Sequence, residues 1–374
     1  MIEKTLHDGA ARLIYGMPNL ESLKLLPDNS IHCCVTSPPY WALRDYGAEE
    51  QLGLETHYQD YINNMVLVFR EVRRVLHPTG TLWLNLGDSY VSSSSKGSGG
   101  PSAVQDTNAG SRFKTIKVEH DLKHKDLVGI PWRVAFALQA DGWYLRQDII
   151  WAKNNPMPES VTDRCSKAHE YIFLLTKSDK YYYDHVAIKE PAVMGAQTRK
   201  QSPTVEIDNT RNKRSVWQIN TQSYSGAHFA VFPEEIPELC IKASTSEKGI
   251  CPACGNQYKR QLEKVGFRQD RWSEANSFDG YRERKGTLVY KTVGWEPTCK
   301  CPPAPITRPT VLDPFSGSGT TGKVALRLGQ HYIGLDVNEE YLDLALRRVD
   351  QYTPDVPSEA EADGSQPSLF NGLD

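Results

Sequence analysis

The chain has 374 residues, 39 % of them hydrophobic and 10 % aromatic, enough for one large α/β domain with an insertion or for two domains. No apolar run approaches the roughly 20 residues of a membrane span, and Met1-Ile2-Glu3-Lys4-Thr5 leads into no apolar segment, so a soluble, cytoplasmic protein is expected. A net charge of −3 excludes a uniformly basic nucleic-acid binder, yet residues 353–374 hold five acids and no Lys or Arg, whereas residues 186–294 hold 17 Lys and Arg against 12 Asp and Glu.

In chain order, Leu13-Ile14-Tyr15 before Gly16 reads as a short strand, and Leu20 to Leu26 has helical spacing of apolar residues. Ile31 to Val35 reads as a buried strand. It runs into Ser37-Pro38-Pro39-Tyr40, where two prolines stiffen the chain and leave carbonyls without helical partners, so Ser37, the Pro38 carbonyl and Tyr40 can face a ligand. Tyr61, Ile62, Met65, Phe69 and Val72 mark a helix over 58–76 that Pro78-Thr79-Gly80 breaks, and Thr81 to Leu86 is the next strand. Strand, helix, strand at this spacing predicts a mainly parallel α/β sheet.

Residues 92–110 are rich in Ser and Gly and carry too little apolar surface to order themselves. The pattern resumes with a helix over 131–138 and strands over 144–151 and 170–175, separated by a polar loop. Residues 186–294 lack sustained periodicity and read as a loop-rich insert. Strand Val311-Leu312-Asp313 then enters Pro314-Phe315-Ser316-Gly317-Ser318-Gly319-Thr320-Thr321, a glycine-rich turn that opens a helix. Glycines let the backbone approach a ligand closely, and a helix amino end offers free amides. Asp336, ending the next strand, is placed to accept hydrogen bonds from ribose hydroxyls. No Gly-Lys-Thr or Gly-Lys-Ser follows, which speaks against a Walker-type phosphate loop.

Asp313 to Thr321 resembles the S-adenosylmethionine-binding motif of DNA amino-methyltransferases, and Thr36-Ser37-Pro38-Pro39-Tyr40 resembles their catalytic tetrapeptide. The catalytic motif comes first and the cofactor motif last, the order of the β group. The resemblance covers most of 10–90, 125–185 and 215–350. It implies a Rossmann-like methyltransferase sheet. Ser37 and the Pro38 carbonyl would accept from the exocyclic amino group of a base flipped out of double-stranded DNA, and Tyr40 would stack on that base. Transfer would be direct and in line, with positioning as the main catalytic contribution. Asp313, Phe315, Gly317 and Gly319 would shape the methionine and sugar end of the cofactor site, and Asp336 would hold the ribose. The segment 227–233 resembles the one preceding the cofactor motif in this group, which makes Phe229 the expected cofactor wall. Relatives often carry an acid after the first strand's glycine, where this chain has Gly16-Met17. Ser in the first place of the tetrapeptide leans toward cytosine N4 and Asp toward adenine N6, so cytosine is favoured and adenine is the alternative.

Cys33 and Cys34 invite comparison with the nucleophile of cytosine-carbon methyltransferases, but they sit inside a predicted buried strand and are expected to be inert. Cys251-x2-Cys254 and Cys299-x-Cys301 supply four thiolates, the ligand set of a structural zinc site in a reducing compartment. Arg211, Lys213 and Arg214 beside Trp217, and Arg271 beside Trp272, fit phosphate and base contact. Trp41 and Arg44, directly after the tetrapeptide, are expected to help hold opened DNA. Gln366-Pro-Ser-Leu369-Phe370 resembles the peptides by which bacterial repair proteins dock on the sliding clamp.

The expected organisation is a catalytic half over 1–185 and a target-recognition insert over 186–305 with a returning core segment near 227–243. A cofactor-binding half over 306–352 and a disordered acidic tail over 353–374 complete it. A catalytically idle DNA-binding or clamp-tethered protein is the competing reading, opposed by the intact tetrapeptide and glycine turn. A methyltransferase acting on RNA or protein would share the cofactor fold.

Overall fold

The computed structural model describes residues 1–43, 45–48, 50–91, 121–191, 210–222, 232–269 and 286–351. In chain order, the first half contains β1 (Ile2–Leu6), β2 (Ala11–Tyr15), α1 (Asn19–Lys24), β3 (Ile31–Thr36), α2 (Tyr58–Val75), β4 (Leu76–Leu86), α3 (Ile130–Ala140), β5 (Tyr144–Ala152) and β6 (His169–Thr176). There follow the short pair β7 (Glu190–Pro191) and β8 (Thr210–Arg211), then β9 (Val216–Gln218), α4 (Glu235–Ser244), β10 (Lys259–Gln269) and β11 (Gly286–Glu296). The chain closes with β12 (Thr310–Asp313), α5 (Thr320–Arg327), β13 (His331–Asp336) and α6 (Leu342–Asp350).

Nine strands form one sheet in the order β1-β2-β13-β12-β3-β4-β6-β5-β9. Neighbours from β2 to β4 are all parallel. β6 runs antiparallel to both β4 and β5. Every residue of β3 is buried, as a strand covered on both faces must be. Alternation sorts its side chains. Cys34 joins Leu82, Leu84 and Leu312 under Leu23 of α1, Phe69 and Val72 of α2 and Val134 of α3. Cys33 and Val35 join Trp83 and Val311 under Ile241 of α4, Val324 of α5 and Leu342 of α6. The mainly parallel methyltransferase-type sheet is therefore a middle layer between two layers of helices, and the carboxyl ends of β2, β12, β13, β3 and β4 share one edge.

The structure departs from the sequence reading in three places. Pro78-Thr79-Gly80 lies inside β4 (Leu76–Leu86) instead of separating the helix from a strand that begins at Thr81. Leu76 is already extended (ψ 136°), Pro78 keeps His77, the residue before it, out of the helical region, and 78–80 is absorbed as an irregularity between the pairs Ile31–Leu76 and Cys33–Thr81. Where loops are expected in 186–294, β9 extends the main sheet beside β5, and β10 and β11 pair along their length from Lys259–Glu296 to Gln269–Gly286. β1, which the sequence reading omits, pairs antiparallel with β2 at the sheet edge.

Residues 92–120, which include the Ser- and Gly-rich stretch, and the tail with Gln366, Leu369 and Phe370 lie outside the described residues. No described helix is long and apolar enough to cross a membrane.

Candidate active site

β12 and β13 each end in an aspartate at the ligand-bearing edge of the sheet. Asp313 is 2 % exposed and its carboxylate is engaged on both oxygens. Oδ1 accepts from Thr36 Oγ1 at 2.7 Å and from the Phe315 N–H at 3.1 Å, and Oδ2 accepts from Thr321 Oγ1 at 2.7 Å. Burial raises Asp313 to about 6 against those three hydrogen bonds. Asp336 is different: Oδ2 accepts from the Gly317 N–H at 2.8 Å and Oδ1 from the Asn338 N–H at 2.9 Å. Each oxygen thus keeps lone pairs for further donors. Burial raises Asp336 to about 6 as well.

The glycine-rich turn is braced from behind. Ser316 Oγ lies 2.9 Å from the Tyr15 hydroxyl and 2.8 Å from the Tyr332 hydroxyl. Arg348 of α6 donates to Ser318 Oγ at 2.7 Å and Thr320 Oγ1 at 2.8 Å, and the Asn19 amide donates to the Pro314 carbonyl. Gly317 holds φ +49° and lines the cavity. Gly319, expected to do the same, instead precedes α5 at φ +78°, where a Cβ would meet Ala345 Cα at 3.2 Å. Its hydrogen side chain lets α5 start against α6, so it shapes the turn by packing.

One cavity joins the two motifs: Phe232, Phe315, Gly317 and Asp336 line it together with Ser37 and Pro39. Two aromatic rings and a buried carboxylate with spare lone pairs fit a nucleoside with a ribose diol, so these residues suit S-adenosylmethionine. Phe229 lies outside the described residues, and Phe232 is the aromatic that the structure places in the wall.

The Ser37–Tyr40 segment leaves β3 directly beneath this cavity's wall. The Pro39 carbonyl accepts from the Tyr61 hydroxyl at 2.9 Å. Ser37 Oγ donates to Asn85 Oδ1 at 3.2 Å, and the Tyr40 hydroxyl donates to Glu170 Oε2 at 2.6 Å. Asn85 Nδ2 donates to Glu170 Oε2 at 3.2 Å and to the Tyr171 carbonyl at 3.1 Å, and Lys153 pairs with Glu170 Oε1. Burial, and after it the Glu170 charge, raises Tyr40 well above the ordinary tyrosine range, so it stays protonated. The sequence reading missed Asn85, Glu170 and Lys153. Asn85 alone offered a signal, as a polar residue inside the buried run Leu84-Asn85-Leu86.

Trp41 is corrected to a core residue. It is 3 % exposed, its Nε1 donates to the Glu55 carbonyl at 2.9 Å, and its ring meets Tyr58 edge-on. Arg44 and Arg271 lie outside the described residues. Arg211, Lys213 and Arg214 converge on Glu190 at 2.8, 3.8 and 2.8 Å. The Arg214 side chain remains 65 % exposed. Cys33 and Cys34 are buried in the sheet, and desolvation pushes the Cys33 thiol up to about 12, which makes it a poor nucleophile.

Cys251, Cys254, Cys299 and Cys301 come together with their sulfurs within 4.8 Å of one another. Cys251 and Cys254 precede β10, and Cys299 and Cys301 follow β11, so the cluster ties the base of the ribbon. It is docked on the main sheet by two stacked histidines: His32 Nε2 lies 3.1 Å from the Gly255 carbonyl and His77 Nε2 lies 3.1 Å from the Cys254 carbonyl.

A sheet whose ligand-bearing edge joins a nucleoside-type cavity to the Ser37–Tyr40 segment fits the methyltransferase class. The family model for DNA methylases matches residues 31–251 and 306–347. The chain is 40 % identical over 332 residues to Type II methyltransferase M.Cfr9I of Citrobacter freundii, covering 88 % of this chain and 85 % of that protein. It is 41 % identical over 333 residues to M.SmaI of Serratia marcescens, covering 88 % and 87 %. The chain belongs to this DNA methylase family and is an S-adenosylmethionine-dependent DNA amino-methyltransferase. The solved PvuII DNA methyltransferase (cytosine-N4-specific) shares the fold, with a TM-score of 0.52 at 17 % identity over 94 % of this chain and 89 % of that one.

A Cβ added at Gly87 would lie 2.5 Å from Tyr40 Cε2. Gly87→Ala is expected to displace the Tyr40 ring and lower the single-turnover methyl-transfer rate by at least about tenfold. S-adenosylmethionine affinity, measured by titration calorimetry, is expected to stay within about twofold, since Gly87 is outside the cofactor wall.

Proposed function

We propose that the enzyme methylates the N4 amino group of a cytosine flipped out of duplex DNA. The observation that carries this reading is the shared cavity: Ser37 and Pro39 line it beside Phe315, Gly317 and Asp336. An exocyclic amino group has a nucleophilic lone pair only when its protons are held and its nitrogen is turned out of conjugation with the ring. Ser37 Oγ is one acceptor. The Pro38 carbonyl is the other; the Pro39 carbonyl already accepts from Tyr61. A paired base cannot offer that nitrogen, so it leaves the stack first, and Tyr40 supplies an aromatic face. The bound S-adenosylmethionine supplies a methyl group on a sulfonium. The chain's own residues orient the amino group and keep water away, and no covalent enzyme intermediate is needed. Ser37 in the first place of the tetrapeptide favours cytosine over adenine.

Residues 1–185 and 306–352 act as catalytic and cofactor halves, and the 186–305 insert reads the target. Arg214, with its exposed guanidinium, and Arg271 are its proposed phosphate contacts. The Type II label of the relatives supports a site-specific enzyme of a restriction–modification pair.

Modification-sensitive sequencing of DNA from cells expressing the protein is expected to show N4-methylcytosine at one sequence context, absent with Ser37→Ala. N6-methyladenine instead would replace cytosine with adenine in this reading.

Asp336 is proposed to hold the ribose hydroxyls as a carboxylate. Burial brings it to about 6, so the acceptor form is complete well above that pH and is lost below it. S-adenosylmethionine affinity is expected to be level from pH 7 to 8 and to fall by up to about tenfold per pH unit below 6. Asp336→Asn is expected to bind more weakly and with a shallower slope, the remainder coming from Asp313, as calorimetry across pH 5–8 would show.

The four cysteines are proposed to hold one structural zinc ion, for which a tetrahedral set of thiolates with Zn–S near 2.3 Å fits. The purified protein is expected to contain one zinc per chain by mass spectrometry. Chelation is expected to expose residues 245–305 to protease while leaving S-adenosylmethionine binding intact.

A further inference from the structure

We propose that Asn85, held by Glu170 and Lys153, makes Ser37 a pure hydrogen-bond acceptor toward the target base. A serine hydroxyl can donate or accept. Only the accepting orientation suits an amino group; a donating one would suit a carbonyl. The tetrapeptide alone does not choose between them, and the surrounding network does. This inference rests on the reading of Ser37 as the amino-group acceptor.

The choice is made in steps that the geometry dictates. Lys153 lies with its ammonium 4.3 Å from the Trp151 ring centroid and pairs with Glu170 Oε1. Glu170 is thereby fixed with Oε2 facing the cup, where it takes the Tyr40 proton at 2.6 Å. A phenol has one proton, so Tyr40 has none left for Asn85. The Asn85 side chain is 3 % exposed and its Nδ2 faces two acceptors, Glu170 Oε2 at 3.2 Å and the Tyr171 carbonyl at 3.1 Å. Reversing the amide would set its oxygen against both of those oxygens, so the orientation is fixed. Oδ1 must then point at Ser37 Oγ, 3.2 Å away. Ser37 gives its single proton to Asn85 at 3.2 Å, the nearer partner, with the Tyr40 oxygen also within reach at 3.5 Å; both lie on the protein side of the cup, and lone pairs remain for the cavity. Asn85 is a positioning residue: it acts through Ser37 and is not among the residues lining the cavity.

The test compares bases that differ at the group Ser37 meets and at the neighbouring ring nitrogen, so each variant is read as a change from the preference of the unmodified enzyme. Cytosine presents an amino group; uracil presents a carbonyl at the same place. Two duplexes are used, each carrying the recognition sequence returned by the methylation map, with cytosine or uracil opposite an abasic site at the target position. Binding is followed by fluorescence anisotropy with sinefungin present. The unmodified enzyme is expected to prefer cytosine by at least about tenfold, the net worth of one hydrogen bond. Asn85→Leu leaves the Ser37 proton only the longer contact to the Tyr40 oxygen, so the hydroxyl can turn to the cavity, and the preference is expected to shrink to about twofold or less, mainly by tighter uracil binding. Glu170→Gln is expected to shrink it partly. A structural role would weaken both duplexes equally and keep the ratio, and that result overturns the proposal. If Asn85→Leu does not fold, an unchanged ratio in Glu170→Gln overturns it alone. A natural enzyme without any preference, together with full activity of Ser37→Ala, would remove the underlying reading of Ser37 as well. For an adenine target the same comparison uses adenine and hypoxanthine.

Discussion

Asp313 is the joint on which the site depends. One carboxylate oxygen takes the Thr36 hydroxyl, whose residue ends β3 and precedes Ser37, and the other takes Thr321 at the start of α5. Residues 277 positions apart in the chain are thus held by one buried group. The cost of burying that acid, visible in its rise to about 6, is offset by three hydrogen bonds and by the sheet pairing of β12 with β3. Methyl transfer demands a fixed distance between donor and acceptor, and errors of an ångström are expensive. A short bridge through one side chain sets that distance more firmly than loops could.

Much of this was legible in the sequence, for a physical reason. The cofactor turn and the Ser-Pro-Pro-Tyr cup are each built from consecutive residues, because backbone groups and strand ends do their work. Asn85 and Glu170 belong to different strands, and they meet only because Leu86 pairs with Tyr171 in the antiparallel β4–β6 ladder. No local pattern announces such a meeting. Trp41 shows the opposite failure. Its place next to the cup suggested DNA contact, but the turn after Tyr40 swings the indole inward, and an apolar ring that can be buried is buried. The β10–β11 ribbon was invisible because its half-buried positions include Arg260, Leu262, Thr292 and Gly294, so exposure alternates while the apolar pattern that marks a half-buried strand does not.

The ribbon raises a question of mechanics. A two-stranded antiparallel pair is marginal alone in water, yet this one projects from a base fixed to the sheet. Arg260 near its foot bridges Asp184 and Glu247 at 2.9 and 2.8 Å and lies over Trp295. His32 and His77, from the strands that flank the catalytic segment, hold the cysteine knuckle. His32 also accepts from the Thr310 N–H through Nδ1 at 3.1 Å, so its Nε2 carries the proton given to Gly255. The arm and the catalytic strand therefore share one rigid foundation.

The strand order carries a consequence for how the chain is made. β12 and β13 are inserted between β2 and β3, although about 270 residues separate β3 from β12 along the chain. Until that late segment emerges from the ribosome, β2 and β3 each present an unpaired, apolar edge, and the central seam of the sheet stays open. Synthesis proceeds at about 5–20 residues per second, so the gap persists for roughly 15–50 seconds. The same permutation that brings a methyl donor to the base thus makes the nascent enzyme dependent on protection of its unfinished sheet.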